Sequence, residues 1–119
     1  MNSLTLAYLG DAIYEVYIRK YLIDKGLVKV KELQNESIKY VSATSQAKYL
    51  SEMMNINFLN EEELSIIMTA RNHKNNHKPK NCDIITYKYA TGFEALIGYL
   101  YLNNNIDRIE EVINFITRR

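Results

Sequence analysis

Two carboxylates in apolar company are the residues of this sequence best suited to do chemistry. Asp11 stands in the run Leu6-Ala-Tyr-Leu-Gly-Asp-Ala-Ile-Tyr14. An unpaired carboxylate buried in such a run would carry a heavy desolvation cost, so it needs a cation, a metal or exposure at a cleft. Glu94 repeats the pattern in Thr91-Gly-Phe-Glu-Ala-Leu-Ile-Gly98. If the two meet, they form an oxygen-rich site for Mg2+, a hard cation that keeps several waters. The same residues also fit two solvent-facing acids, or acids paired with Lys or Arg. Spacing leaves both readings open. Glu15 lies one helical turn after Asp11 on the same face.

Gly10 and Gly98 sit inside the same two apolar runs. Glycine in a helix costs about 1 kcal/mol against alanine, so each position needs a reason. A close helix crossing is one reason, and room for a ligand beside Asp11 is the other. Gly92, near Glu94, admits either.

A different chemistry belongs to Arg71–Asn81, which reads RNHKNNHKPKN. It breaks the apolar periodicity and carries no acid, so it reads as a loop. As a bland feature it is a solvated charge run. As a functional one, Arg71, Lys74, Lys78 and Lys80 contact a phosphate backbone, with His73 and His77 adding hydrogen bonds. Nothing resembles a helix-turn-helix, a zinc finger or an aromatic RNA-reading sheet.

The elements that must position these residues are helical. The chain has 119 residues, 47% hydrophobic and 24% charged, with only four glycines and one proline. That composition forms one domain over residues 1–119 and excludes disorder. Fifteen Lys and Arg against fourteen Asp and Glu give a net charge of +1, which excludes a uniformly basic coat or tail. Cys82 is the sole cysteine, so there is no disulfide framework, and His73 with His77 cannot make a structural zinc site alone. The N-terminal stretch lacks a basic region, and Asp11 and Glu15 interrupt it. It is neither a signal peptide nor a membrane span, and a cytoplasmic location follows as the expectation.

Helical spacing is expected from Leu4 to Leu22, with Leu6, Leu9, Ile13, Val16, Tyr17, Tyr21 and Leu22 on an apolar arc that Ala7, Ala12 and Ile18 widen, and a central position for the helix. Gly26 reads as its stop. Further helices are expected from about Lys31 to Tyr40 and Thr44 to Met54, with Val41–Thr44 as a kink or turn. Asn60 with Glu61–Glu63 reads as a capping box, its three acids suited to the helix dipole. A helix follows to about Asn72, another from Ile84 to Leu102, and a last one behind a second capping box at Asp107 and Glu110. The fold class is all-α, a bundle of about six helices. The ten tyrosines fall mostly in helices, where core edges and a subunit interface explain them better than a stacking platform for bases.

The two acidic runs, in this order and with the basic segment between them, resemble the catalytic domain of the ribonuclease III family. Tyr40-Val-Ser-Ala43, Gln46-Ala47 and Arg71-Asn-His-Lys74 narrow the resemblance to its short bacterial branch, Mini-ribonuclease III, which lacks a double-stranded-RNA-binding domain. The resemblance covers essentially the whole chain. It implies an all-helical homodimer that cuts double-stranded RNA with Mg2+, with the precursor of 23S ribosomal RNA as substrate and a ribosomal protein helping to shape it. Asp11 and Glu94 match the family's metal-binding, catalytic acids. Two further family acids are absent: Ala7 stands four residues before Asp11, and Thr91 three residues before Glu94. Those absences leave a non-catalytic double-stranded-RNA-binding protein as the alternative.

Overall fold

Asn60 and Glu63 show how the chain sets its own helix boundaries. The Asn60 side chain accepts the Glu63 backbone N–H at 2.8 Å, and the Glu63 carboxylate accepts the Asn60 backbone N–H at 3.0 Å. This reciprocal box starts a helix whose first donors would otherwise lack partners. A computed structural model describes residues 1–73 and 82–118. The described residues form six helices and no strand: α1 (Ser3–Asp24), α2 (Val30–Val41), α3 (Ala43–Asn55), α4 (Glu61–Arg71), α5 (Ile84–Leu102) and α6 (Ile106–Thr117). None is long and apolar enough to cross a membrane.

The other boundaries follow local chemistry. Gly26, with φ at +103°, carries the chain out of α1. Ser42 is extended and its hydroxyl accepts the Ser45 N–H at 3.2 Å, so α2 and α3 meet at a corner rather than a kink. Asp83 caps α5 through Thr86 N–H at 2.8 Å. The expected capping box at Asp107 and Glu110 is not there. α6 begins earlier, and Asn105 is its cap, accepting the Arg108 N–H at 3.3 Å. Asp107 lies inside the first turn, where its charge suits the helix dipole.

The central helix is α5. Ala90–Phe93, Ala95–Gly98 and Leu100 are all buried. It packs against α1, α3 and α4. The core runs through Tyr14, Ile18, Leu50, Met53, Ile67, Phe93, Leu96, Ile97, Ile109, Val112 and Ile116. The wide inner face expected for α1 needs correction. Its buried stripe is Leu6, Ala7, Gly10, Tyr14, Ile18 and Leu22, whereas Tyr8 and Val16 are 84% and 60% exposed. The stripe is set by what can approach α5, and that is Gly10 and Tyr14. Tyr14 meets the Phe93 ring edge-on at 4.9 Å and donates its hydroxyl to the Tyr40 carbonyl at 2.9 Å.

At the α1–α5 crossing the two backbones touch. A Cβ at Gly10 would fall 1.7 Å from the Glu94 carbonyl oxygen, and one at Gly98 would fall 2.1 Å from the Leu6 carbonyl oxygen. Close crossing therefore accounts for both glycines, and neither leaves space for a ligand. A Cβ at Gly92 would come within 3.0 Å of Ile67, so this glycine serves the α4–α5 contact.

A second constraint ties the far end together. Glu63 is 3% exposed, and Arg108 grips it with Nε at 2.7 Å and Nη2 at 2.8 Å. Burial pushes the Glu63 carboxyl up, but Arg108 and the Asn60 N–H outweigh it and hold the group below its ordinary range. The guanidinium also donates to the Phe58 carbonyl at 2.7 Å and lies 4.5 Å over the Phe58 ring. Glu63 thus does more than cap a helix and complement its dipole.

Two stability outcomes follow. Gly10→Ala or Gly98→Ala forces a carbon into a carbonyl, and should cost at least about 3 kcal/mol, the upper end for overpacking, in urea unfolding. Arg108→Met strands a buried carboxylate and should cost roughly 3–5 kcal/mol, part of it recovered by adding Glu63→Gln. Unchanged midpoints would contradict both contacts.

Candidate active site

The crossing of α1 and α5 decides where the acids lie. Gly10 abuts the Glu94 carbonyl, so Asp11, the next residue of α1, stands beside the Glu94 side chain. The Asp11 side chain lies close enough to the Glu94 carboxyl to raise its proton affinity. Asp11 faces solvent, and Glu94 is half-buried between α1 and α3. The open question of whether these acids meet is thus answered by their geometry.

That proximity has an electrostatic consequence. Burial, then the Asp11 charge, then the shared hydrogen bond push the Glu94 carboxyl up to about 8, while a hydrogen bond from Gln46 acts in the opposite sense. Near neutral pH the Glu94 carboxyl therefore keeps its proton. A cation at the pair would relieve the same repulsion that the proton relieves.

Gln46 is the residue that reading for acids and cations passes over as part of the site. It lies in the first turns of α3, is 1% exposed, and donates from Nε2 to the Val41 carbonyl at 3.1 Å. A signal exists: Gln46, Leu50 and Met53 share the buried helical stripe of α3, a polar residue at an apolar spacing.

The neighbouring residues do not enlarge the acid cluster. Glu15 pairs with Arg19 at 3.0 Å as an ordinary exposed pair one turn apart. Ala7 packs with Leu6, Ala70 and Ala95. Thr91 is buried and donates its hydroxyl to the Tyr87 carbonyl at 2.9 Å, within its own helix. Among the described residues no group of three or more His, Cys, Asp or Glu side chains forms a metal site.

Of the basic segment, Arg71 closes α4, donates to the Asn72 side chain at 2.9 Å, and lies 4.9 Å over the Tyr89 ring. His73 is half-buried beside Leu4, Ala70, Tyr87, Lys88 and Thr91. Lys74, His77, Lys78 and Lys80 lie outside the described residues.

Comparison with known proteins gives this geometry a context. The ribonuclease III domain matches residues 4–105. A Mini-ribonuclease 3 of Streptococcus pneumoniae is 40% identical over 119 residues, spanning 100% of this chain and 93% of the relative. One of Brevibacillus brevis is 49% identical over 112 residues, spanning 94% and 82%. A crystal structure of a Fusobacterium nucleatum protein superposes with a TM-score of 0.89 at 36% identity, covering 99% of this chain and 94% of the other. With a family match over most of its length and full-length relatives of this identity, the chain belongs to the ribonuclease III family of endoribonucleases.

Proposed function

We propose that this chain cleaves double-stranded RNA at the Asp11–Glu94 pair with Mg2+, and that its substrate is the precursor of 23S ribosomal RNA. The observation that carries the reading is the pair itself: two carboxyls from different helices, side by side, one open to solvent and one half-buried. The donor set fits a hard divalent ion, since it offers oxygen ligands whose mutual repulsion a cation removes. With two acids rather than four, the rest of such an ion's shell would fall to water and substrate phosphate oxygens. A bound Mg2+ supplies Lewis acidity at phosphoryl oxygens and lowers the pKa of water.

The chain's own residues have distinct tasks. Asp11 presents its carboxylate at the surface where a phosphodiester can approach. Glu94 gives up its proton when the site takes a cation, and its half-buried position limits its motion. Among the described residues no His or Cys joins the pair to make a group of three. Arg71, His73, Lys74, His77, Lys78 and Lys80 grip phosphates of an A-form duplex, whose shape and 2′-hydroxyls are read more than its sequence. A homodimer built on the exposed α1 stripe of Tyr8, Ala12 and Val16 would set one site on each strand and stagger the cuts. A ribosomal protein that shapes the precursor, and a cytoplasmic setting, complete this reading.

Ala7 and Thr91 favour one rival, a double-stranded-RNA-binding protein without catalysis. Cleavage of end-labelled duplex RNA separates the two. Asp11→Asn and Glu94→Gln should each lower the rate by at least the ~100-fold that loss of a ligand's supporting partner costs. EDTA should stop the wild type. Duplex binding without cutting, even on precursor ribosomal RNA, would support the rival.

Charge removal at Lys74, Lys78 and Lys80 together should weaken duplex binding and flatten its salt dependence by about 0.9 for each phosphate no longer neutralised. The melting temperature should barely move. A triple variant that binds as wild type at both low and moderate salt would remove this segment from the reading.

The acid pair also makes stability depend on pH. The Glu94 carboxyl holds its proton up to about 8 in the fold, against an ordinary value of 4.5. Between those values the unfolded chain releases a proton that the folded chain keeps, so metal-free stability should fall as pH rises through that window. Glu94→Gln should flatten the trend and melt several degrees higher than wild type at the alkaline end, while losing cleavage. Equal melting curves across the window would contradict the buried pair.

A further inference from the structure

We infer that Gln46 is a positioning residue of the Asp11–Glu94 site: its buried amide fixes the Glu94 carboxylate in the orientation a divalent cation requires. The inference rests on reading that pair as a cation site.

Three observations carry it. First, Gln46 is anchored independently of Glu94. Its backbone N–H donates to the Ser42 carbonyl at 3.0 Å, and its Nε2 donates to the Val41 carbonyl at 3.1 Å. Both acceptors belong to the α2–α3 corner, so the side chain is set before it meets α5. Second, the amide lies close enough to the Glu94 carboxyl to favour its charged form, against burial and the Asp11 charge. A primary amide has two N–H donors, and the Val41 carbonyl takes one, which leaves the second for the carboxylate. Third, the other end of the amide is unsatisfied. Gln46 Oε1 is buried and has no hydrogen-bond partner among the described residues.

The third observation turns a packing detail into an argument. A buried acceptor without a donor is unfavourable, and a methionine of similar length would fill the same space without that loss. Closing the end of α2 explains one N–H of Gln46. It does not explain a residue whose carbonyl is left bare in the core. The Glu94 carboxyl beside it supplies the remaining reason. A second N–H directed at that carboxyl favours its charged form and restrains its rotation. This is how groups behind a metal ligand orient it.

The experiment titrates the full chain with Mn2+ alone by calorimetry, without RNA. It compares wild type, Gln46→Met, Glu94→Gln and, as a control for a loosened core, Ile97→Val. Gln46→Met should bind Mn2+ roughly 10-fold more weakly, the scale for loss of a partner behind a ligand, with Ile97→Val unchanged. The Mg2+ concentration needed for half-maximal cleavage should rise by the same factor, with the rate at saturating Mg2+ close to wild type. Wild-type Mn2+ affinity in Gln46→Met, with binding lost in Glu94→Gln, would overturn the role of Gln46 and leave the cation site standing. Absence of Mn2+ binding in wild type would overturn both. Should Gln46→Met not fold, nuclear magnetic resonance of the wild type decides. The Gln46 side-chain amide signals should shift as Mg2+ is added, and should not in Glu94→Gln. Stationary amide signals beside a shifting Asp11 backbone signal would overturn the inference.

Discussion

The contact between the α1 and α5 backbones is the constraint on which the rest of the structure depends. Gly10 and Gly98 bring a carbonyl of each helix to where the other helix's Cβ would stand. Helices that close cannot slide or rotate without collision, so the register of α1 on α5 is fixed to within a residue. That register sets Tyr14 on Phe93 in the core and Asp11 beside Glu94 at its edge. Packing and chemistry thus share one origin. The Arg108–Glu63 pair does a separate job, locking α6 to the start of α4 on the other side of α5.

The Asp11–Glu94 pair works against the stability of the fold that holds it. Two acids in contact, one of them half-buried, are unfavourable unless a proton or a cation sits between them. The structure contains the balancing interactions: α5 is buried along nearly its whole length, and the Gln46 amide faces the carboxyl from α3. A rigid surround allows a repulsive pair to persist, because relaxing it would mean separating helices whose backbones are in contact. The sites of the missing acids fit the same logic. Ala7 and Thr91 stand in packed regions, and each is satisfied without charge.

Much of this is legible in the chain itself. Capping residues and apolar spacing place the helices within a few residues, because Asn60 and Gly26 act locally. Asp11 and Glu94 stand out because a carboxylate in an apolar run needs an explanation. What spacing cannot supply is distance. Nothing in the order of residues says that Gly10 lies against Glu94, so the meeting of the acids awaits the fold. The inner face of α1 differs from its expectation for a related reason. Val16 has the hydropathy of a core residue, but the crossing selects for small size, and Gly10 takes that face. Asp107 resembles a cap because acids favour both the cap and the first turn, and only the start of α6 at Ile106 separates the two. Glu63 reads only as a capping and dipole acid because its partner lies 45 residues away.

The central claim is that Asp11 and Glu94 act as one unit rather than as two independent acids. A double-mutant cycle on cleavage rate tests it most directly, with Asp11→Asn, Glu94→Gln and the double variant measured on one duplex at one Mg2+ concentration. Groups that share a task lose it once, so the double variant should be about as slow as the slower single variant. Rate losses that multiply would mean that the two carboxyls, though in contact, serve separate steps, and the account of a shared site would be wrong.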